Sequence, residues 1–222
     1  MHPGDLFHVL NDVMAAHTTS LGLDHHFHAA RQQMWVLTAY DLELSQLFDF
    51  TQPLIAKTAP YSFKRMYGYR QYALVSEDGQ LIGSAKGRFV LINTATEQLM
   101  APDATLLKQF KAIRSDAVAL PMFKPSKPSE ETPVFHQTVV VTPEHIDVNG
   151  HVNNAFYPDW AFSYLPNDHT LLKSRLFVHV QFKREVFVTE QVELAYYKIK
   201  DGFDVLMRKG DTMVARVIMM TI

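Results

Sequence analysis

The 222-residue sequence predicts an α+β protein of two tandem units, each a long helix wrapped by an antiparallel sheet. Three observations carry that prediction. Each half of the chain contains a stretch with apolar residues at helical spacing, each continues in β-branched and aromatic runs, and a proline-rich segment that can pack neither element divides the two. The expected organisation is an N-terminal unit over residues 1–114, a linker over 115–133 and a C-terminal unit over 134–222.

In the first half, residues 5–21 place Leu6, Val9, Leu10, Val13, Met14 and His17 at steps of three and four, the period of an amphipathic helix, and Gly22 stops it. Extended runs follow: MWVLTAYDLEL, QPLIAKTAP, YGYRQYALVS and LIGSAKGRFVLIN, with Glu77, Asp78 and Gly79 forming a hairpin turn between the last two. The string PMFKPSKPSEETP, with four prolines, marks the linker. The second half then reads as a strand VFHQTVVV, a loop EHIDVNG and a helix over 153–165. It ends in four strands: LFVHVQFKREVFV, QVELAYYKI, FDVLMRK and MVARVIMMTI. Setting the chain from His2 over the chain from His151 aligns the two helix starts, so a duplicated unit is expected. Either half alone would bury too little surface to be secure, and pairing two sheets edge to edge remedies that.

Composition narrows the function classes. At 47% hydrophobic and 12% aromatic, the chain has material for a sizeable core and no signature of disorder. A formal charge of -2 supplies no global field for a polyphosphate backbone, which argues against nucleic acid as a partner. Cysteine is absent, so disulfides, zinc–thiolate sites and thiol nucleophiles are excluded. Neither a membrane span nor an export leader is legible, and the expected location is the cytoplasm.

The chemistry is concentrated in DVNGHVNNAFYPDW, residues 147–160, whose first eight residues gather a carboxylate, three amides and an imidazole at a loop-to-helix junction. Such a junction offers unpartnered N–H groups and a positive dipole end, which stabilise negative charge developing on an ester or thioester carbonyl. Taken singly, Asn149 or Asn153 would serve as a cap, and Asp147 with Gly150 would shape a turn; it is the density of the cluster that points to catalysis. Hydrolysis needs a base for water, donors toward the oxyanion and a proton for the departing thiolate. Asp147 or Glu185 would activate the water, Asn149 and the helix start near Asn153 would supply donors, and His151 would position and shuttle protons.

That string resembles the second-domain signature of plant and bacterial acyl-ACP thioesterases, D-x-N-x-H-V-N-N-x-x-Y-x-x-W, which opens the central helix of a hotdog domain. VQFKREVFVTEQVEL resembles the family's strand with an acidic residue after a basic pair, and the runs between residues 34 and 94 resemble its N-terminal strands. The resemblance implies a double hotdog in which Asp147, Asn149, His151 and Glu185 hydrolyse fatty acyl-ACP to free fatty acid, terminating fatty acid synthesis. It further implies an acyl-binding N-terminal unit, a catalytic C-terminal one, an acyl carrier protein with its acyl-phosphopantetheine as partner, and no cofactor. Some members carry cysteine after the acidic residue; here that position is Val186, so water, or transiently a carboxylate, must attack. Members also have a strand ahead of the first helix that this chain lacks, which would leave an edge open to a second copy in a homodimer.

Lys183 and Arg184 beside Glu185, and Lys64 and Arg65 in the first half, could meet the acidic carrier or the pantetheine phosphate; a solvated strand face is their other reading. His25, His26 and His28 lack a carboxylate or thiolate that would complete a metal site, and no metal is expected. Tyr157 and Trp160 read as helix core, and Val13 and Met14 as core or acyl-chamber lining. An acyl-CoA thioesterase on the same scaffold and an inactive carrier-binding module are the alternatives; a hotdog dehydratase would need a different His and acid arrangement.

Overall fold

The structure is a computed structural model describing residues 3–45, 52–110, 120–128, 131–166 and 175–222. The expected boundary between residues 114 and 115 lies outside the described residues. In chain order the main elements are α1 (Leu6–Ser20), α2 (His25–Ala30), β1 (Gln33–Leu44), β2 (Leu54–Lys64), β3 (Tyr67–Ser76), β4 (Leu81–Asn93), β5 (Leu99–Met100) and α3 (Ala104–Gln109). The second half supplies β6 (Phe135–Val140), α4 (Phe156–Ser163), β7 (Leu176–Phe182), β8 (Gln191–Ile199), β9 (Gly202–Lys209) and β10 (Thr212–Thr221).

The strands form one antiparallel sheet in the order β2-β3-β4-β1-β7-β10-β9-β8-β6, with β5 paired to β4. The two halves meet where β1 pairs β7, from Ala39 opposite Gln181 to Leu44 opposite Leu176. Read outward from that seam, each half repeats one order, β1-β4-β3-β2 and β7-β10-β9-β8. The second half adds β6 on the outer flank of β8. Among the described residues no strand precedes α1, and β2 stands as the edge in the corresponding place. This edge carries an exposed Lys57, Pro60 and a register shift between Pro60 and Ser62, features that discourage strand addition.

Alternation along the strands decides what lies on each face. Tyr40 and Leu42 of β1, Val178 and Val180 of β7, and Val217 and Met219 of β10 turn to the side that holds α1 and α4. Leu6, Phe7 and Leu10 of α1 and Tyr157, Trp160 and Ala161 of α4 join them in a continuous core that spans both halves. Burial of large apolar side chains of this kind contributes roughly 1.5–3 kcal/mol each. Tyr196 of β8 anchors the end of α4 by donating its hydroxyl hydrogen to the Ala161 carbonyl at 3.0 Å.

The opposite face carries buried charge. Asp41 of β1 pairs with His179 of β7 across the seam, Oδ1 to Nδ1 at 2.6 Å. Arg216 of β10 meets Asp204 of β9 through two bonds, Nε to Oδ1 at 2.8 Å and Nη2 to Oδ2 at 2.6 Å. Residues 120–128 of the expected linker lie over these groups. The Phe123 N–H donates to Asp41 at 2.7 Å, Arg216 donates to the Ser126 carbonyl at 2.7 Å, and the Phe123 ring packs on His179. The prolines do prevent regular structure there, but the segment is strapped to the sheet by charged groups of both halves.

Several expectations change in detail. β3 and β4 have the bounds read from the sequence, whereas β2 runs past Pro60 to Lys64 through its irregularity. The run LFVHVQFKREVFV leaves the sheet after Phe182, where Lys183 and Arg184 both donate their N–H groups to the Val214 carbonyl. Helix α4 begins at Phe156, three residues later than the apolar pattern implies. His25, His26 and His28 belong to a short helix whose N-terminus Asp24 caps by accepting from the Phe27 N–H at 2.9 Å, and His28 bonds Gln33 at 3.2 Å.

Candidate active site

The loop over residues 146–152 is a tight hairpin. Ile146 and Val152 form a bridge, the Asp147 N–H donates to the His151 carbonyl at 2.9 Å, and the Gly150 N–H to the Asp147 carbonyl at 3.1 Å. Gly150 sits at φ 85°, a conformation open to glycine and costly for most residues. The Asp147 side chain shapes the turn, accepting from the Asn149 N–H at 2.8 Å and from the Asn149 side-chain amide at 3.2 Å. The turn-forming role and the cluster thus coincide in one carboxylate.

A second segment closes on this loop. The Val152 N–H donates to the Val186 carbonyl at 2.8 Å, which draws the chain after β7 alongside His151. Val186 itself is fully buried, so the position that bears cysteine in some relatives of the motif points into the core here. The turn beyond it is tied at several points. Glu190 accepts from the Phe187 N–H at 2.9 Å and from Lys209 at 2.9 Å, and these two donors hold its carboxyl below the usual range. Thr189 adopts φ 69°, a strained choice for a β-branched residue, while its N–H donates to the Val141 carbonyl at 2.9 Å.

The result is an imidazole between two carboxylates. His151 Nδ1 lies 3.8 Å from Asp147 Oδ1, and its Nε2 lies 3.8 Å from Glu185 Oε1. The side chains of His151 and Asp147 are 16% and 21% exposed and that of Glu185 is 55% exposed, so the acid from the second segment is the one solvent reaches. Beyond its approach to His151, Glu185 makes no hydrogen bond among the described residues. The structure therefore brings Asp147, Asn149, His151 and Glu185 together in one cluster.

Two backbone donors beside this cluster are already engaged. The N–H groups of Ala155 and Phe156 are spent on Asn153, the first on its side-chain oxygen at 3.0 Å and the second on its carbonyl at 2.9 Å, and Pro158 has none. Two of the N–H groups that a helix start at Asn153 would have offered are thus taken by Asn153 itself. Tyr157, read from the sequence as core, is buried and packs edge-on to Trp160 and Phe182. Burial, reinforced by Glu185, Glu190 and Asp147, pushes its phenol upward, so it stays protonated beside the carboxylates. Asn11 of α1, which no motif singled out, reaches this loop and donates to Asn153 at 3.0 Å. A polar residue between Leu10 and Met14 on the packed side of α1 was the available sign.

Of the basic residues, Lys183 and Arg184 are exposed immediately before Glu185. Lys64 and Arg65 sit at the same end of the sheet but four strand positions from β7, roughly 19 Å along the edge. Among the described residues no group of three or more His, Asp and Glu could hold a metal ion, and no helix is long and apolar enough to cross a membrane.

A helix laid over a curled antiparallel sheet, twice along one chain, with an acid–imidazole loop ahead of the second helix, defines a double-hotdog thioester hydrolase. Residues 3–108 match the acyl-ACP thioesterase N-terminal domain and residues 129–214 the acyl-ACP thioesterase C-terminal domain. The chain belongs to the acyl-ACP thioesterase family, whose reaction is the hydrolysis of fatty acyl-ACP. No curated protein sequence matches it. Among solved structures it is similar to a Lactobacillus plantarum protein named as an oleoyl thioesterase, at 20% identity and TM-score 0.86, covering 100% of this chain and 89% of that one. It is also similar to an acyl-ACP thioesterase from Bacteroides thetaiotaomicron, at 21% identity and TM-score 0.80 over 99% of this chain and 89% of that one. The 12:0-ACP thioesterase from Umbellularia californica aligns at 18% identity and TM-score 0.83 over 100% of this chain and 89% of that one.

Proposed function

We propose that Glu185 activates the water that cleaves the thioester of a fatty acyl-ACP, with His151 and Asp147 as its partners. The observation that carries this assignment is the placement of His151, 3.8 Å from each carboxylate. Asp147 commits its oxygens to Asn149 and balances the charge of the imidazole from 3.8 Å, while His151 Nδ1 is oriented by its hydrogen bond to the Val152 carbonyl at 3.3 Å. Glu185 has free lone pairs and reaches solvent, the two properties a base for water needs. His151 passes a proton to the departing pantetheine thiolate, and Asn149 with Asn153 donates to the oxyanion.

The N-terminal unit over 1–114 receives the acyl chain and the C-terminal unit over 134–222 performs the chemistry, joined by 115–133. Two mirrored strand sets meeting at β1 and β7 support this division. The substrate is taken from the carrier in the cytoplasm. His151→Ala tests the centre: thiol release from acyl-ACP is expected to fall by about a hundredfold or more with thermal stability retained. Wild-type rates in the folded variant would defeat the proposal.

Lys183 and Arg184 are the carrier contacts this reading favours, because they are exposed and adjoin Glu185; Lys64 and Arg65 would touch only the periphery of a bound carrier. Reversing both charges, Lys183→Glu with Arg184→Glu, is expected to raise KM for acyl-ACP several-fold at low salt, an effect that fades as ionic strength rises. The matched acyl-CoA serves as the control. A larger loss on acyl-CoA, or a wild-type preference for it, would favour the CoA ester as substrate.

A further inference from the structure

A hydrogen-bonded line crosses from the first half of the chain into the catalytic loop, and its polarity can be deduced. The Ala155 N–H can only donate, so the atom of Asn153 that it meets at 3.0 Å is the amide oxygen. Asn11 approaches the same oxygen at 3.0 Å and must therefore present its NH2 group there. That turns the Asn11 oxygen toward Tyr40, whose hydroxyl donates to it at 3.0 Å. Tyr40 has then spent its one hydrogen, so the buried contact between Tyr40 and Tyr72 at 3.1 Å runs with Tyr72 as donor. The direction from Tyr72 through Tyr40 and Asn11 to Asn153 follows without freedom.

Its consequence falls on the Asn153 NH2 group. Both acceptor positions of the Asn153 oxygen are occupied, by Asn11 and by Ala155. The carboxamide cannot rotate without setting its nitrogen against two donors, so its own N–H groups are held on the far side. Val152 is buried and bridged to Ile146, which places its neighbours His151 and Asn153 on the same side of the strand-like loop. Tyr40 and Tyr72 are 1% and 4% exposed and packed ring against ring, so the far end of the line is rigid.

We infer that Asn11 is a positioning residue for thioester hydrolysis: through Asn153 it lets the first helix of the chain orient an amide donor for the carbonyl attacked at the His151 centre. This rests on the assignment of that centre proposed above. It gives the contact between α1 and the loop ahead of α4 a catalytic role and accounts for a part-buried asparagine between Leu10 and Met14 of α1. The N–H groups of Ala155 and Phe156 at the start of α4 are consumed by Asn153, whose side-chain amide supplies a donor in their place.

The test is steady-state hydrolysis of one acyl-ACP by Asn11→Ala, Asn153→Ala, the double variant, Asn11→Asp, Tyr40→Phe and His151→Ala, with thermal unfolding of each. Asn11→Ala is expected to lower kcat by about 10- to 100-fold with KM within about twofold of wild type. The double variant should fall no further than Asn153→Ala alone, because the two residues act as one unit. Tyr40→Phe should give a smaller loss of the same kind. Asn11→Asp keeps the acceptor for Tyr40 but sets oxygen against oxygen at Asn153. It should lose kcat at neutral pH and recover part of it in acid, relative to wild type, as the introduced carboxyl regains a hydrogen. Folded Asn11→Ala and Asn11→Asp with wild-type kcat, or losses that multiply in the double variant, would overturn the inference. If His151→Ala also keeps its activity, the centre itself has been misassigned.

Discussion

Glu185→Gln is expected to reduce kcat for acyl-ACP hydrolysis by about a hundred- to ten-thousandfold while leaving the melting temperature near wild type. The separation of the two effects follows from the surroundings of this side chain. It is 55% exposed and makes no hydrogen bond among the described residues, so folding does not depend on its charge. Its oxygen nevertheless stands 3.8 Å from His151 Nε2, where water held between them would lose a proton to the carboxylate. Asp147→Asn should behave differently. An amide oxygen at that position can still accept from the Asn149 N–H, so the turn persists, but the charge beside His151 Nδ1 is removed. Its loss in kcat should be smaller than that of Glu185→Gln. The double variant should lose less than the product of the two single losses, because both carboxylates act through one imidazole. Single-turnover thiol release separates these steps from product departure. A reversed order, with Asp147→Asn the more damaging, would transfer the role of base to Asp147.

Arg216→Leu should destabilise the fold by about 3–5 kcal/mol, since it strands the Asp204 carboxylate in a site where both side chains are about 5% exposed or less. For a chain of this size that corresponds to a fall in melting temperature of roughly 6–20 °C. The companion variant, Arg216→Met with Asp204→Leu, removes both charges and should recover most of the loss, because burying an ion pair costs about as much in desolvation as the pair returns. Recovery should not extend to the strap. Arg216 also holds the Ser126 carbonyl, so residues 120–128 should become more sensitive to proteolysis in both variants. Thermal unfolding and limited proteolysis together check the pair of expectations. A double variant as unstable as the single one would mean that shape, and not stranded charge, dominates this face.

These two results probe parts of the protein that differ in how far the sequence reveals them. Asp147, Asn149 and His151 lie within five residues, and their turn is a local matter of an Asp side chain, a glycine at φ 85° and a bridge between Ile146 and Val152. Glu185 was reachable only through its likeness to a known strand. Even so, the run of apolar residues through position 188 suggested that it sat within a strand, whereas β7 ends at Phe182. The apolar pattern there reflects burial of Val186, since periodicity reports burial and cannot tell a strand from a well-packed loop. The late start of α4 has a similar origin. Asn153 captures the N–H groups of Ala155 and Phe156, a competition between side chain and backbone that helical spacing does not register.

By itself the sequence determined the α+β class, the duplicated order of helix and strands, and the loop where the imidazole and its first carboxylate meet, because each rests on residues close together in the chain. Only the tertiary structure decided that Asn11 would orient Asn153 across a separation of 142 residues, and that Asp41 would find His179 across 138. The same holds for the proline-rich segment, which is fastened over Arg216. Hydrophobic alternation states which side of a strand is buried, but not which distant polar group will lie beside it. Pairing of β1 with β7 and of α1 with α4 settles that choice, and a buried polar atom then takes the partner the packing supplies.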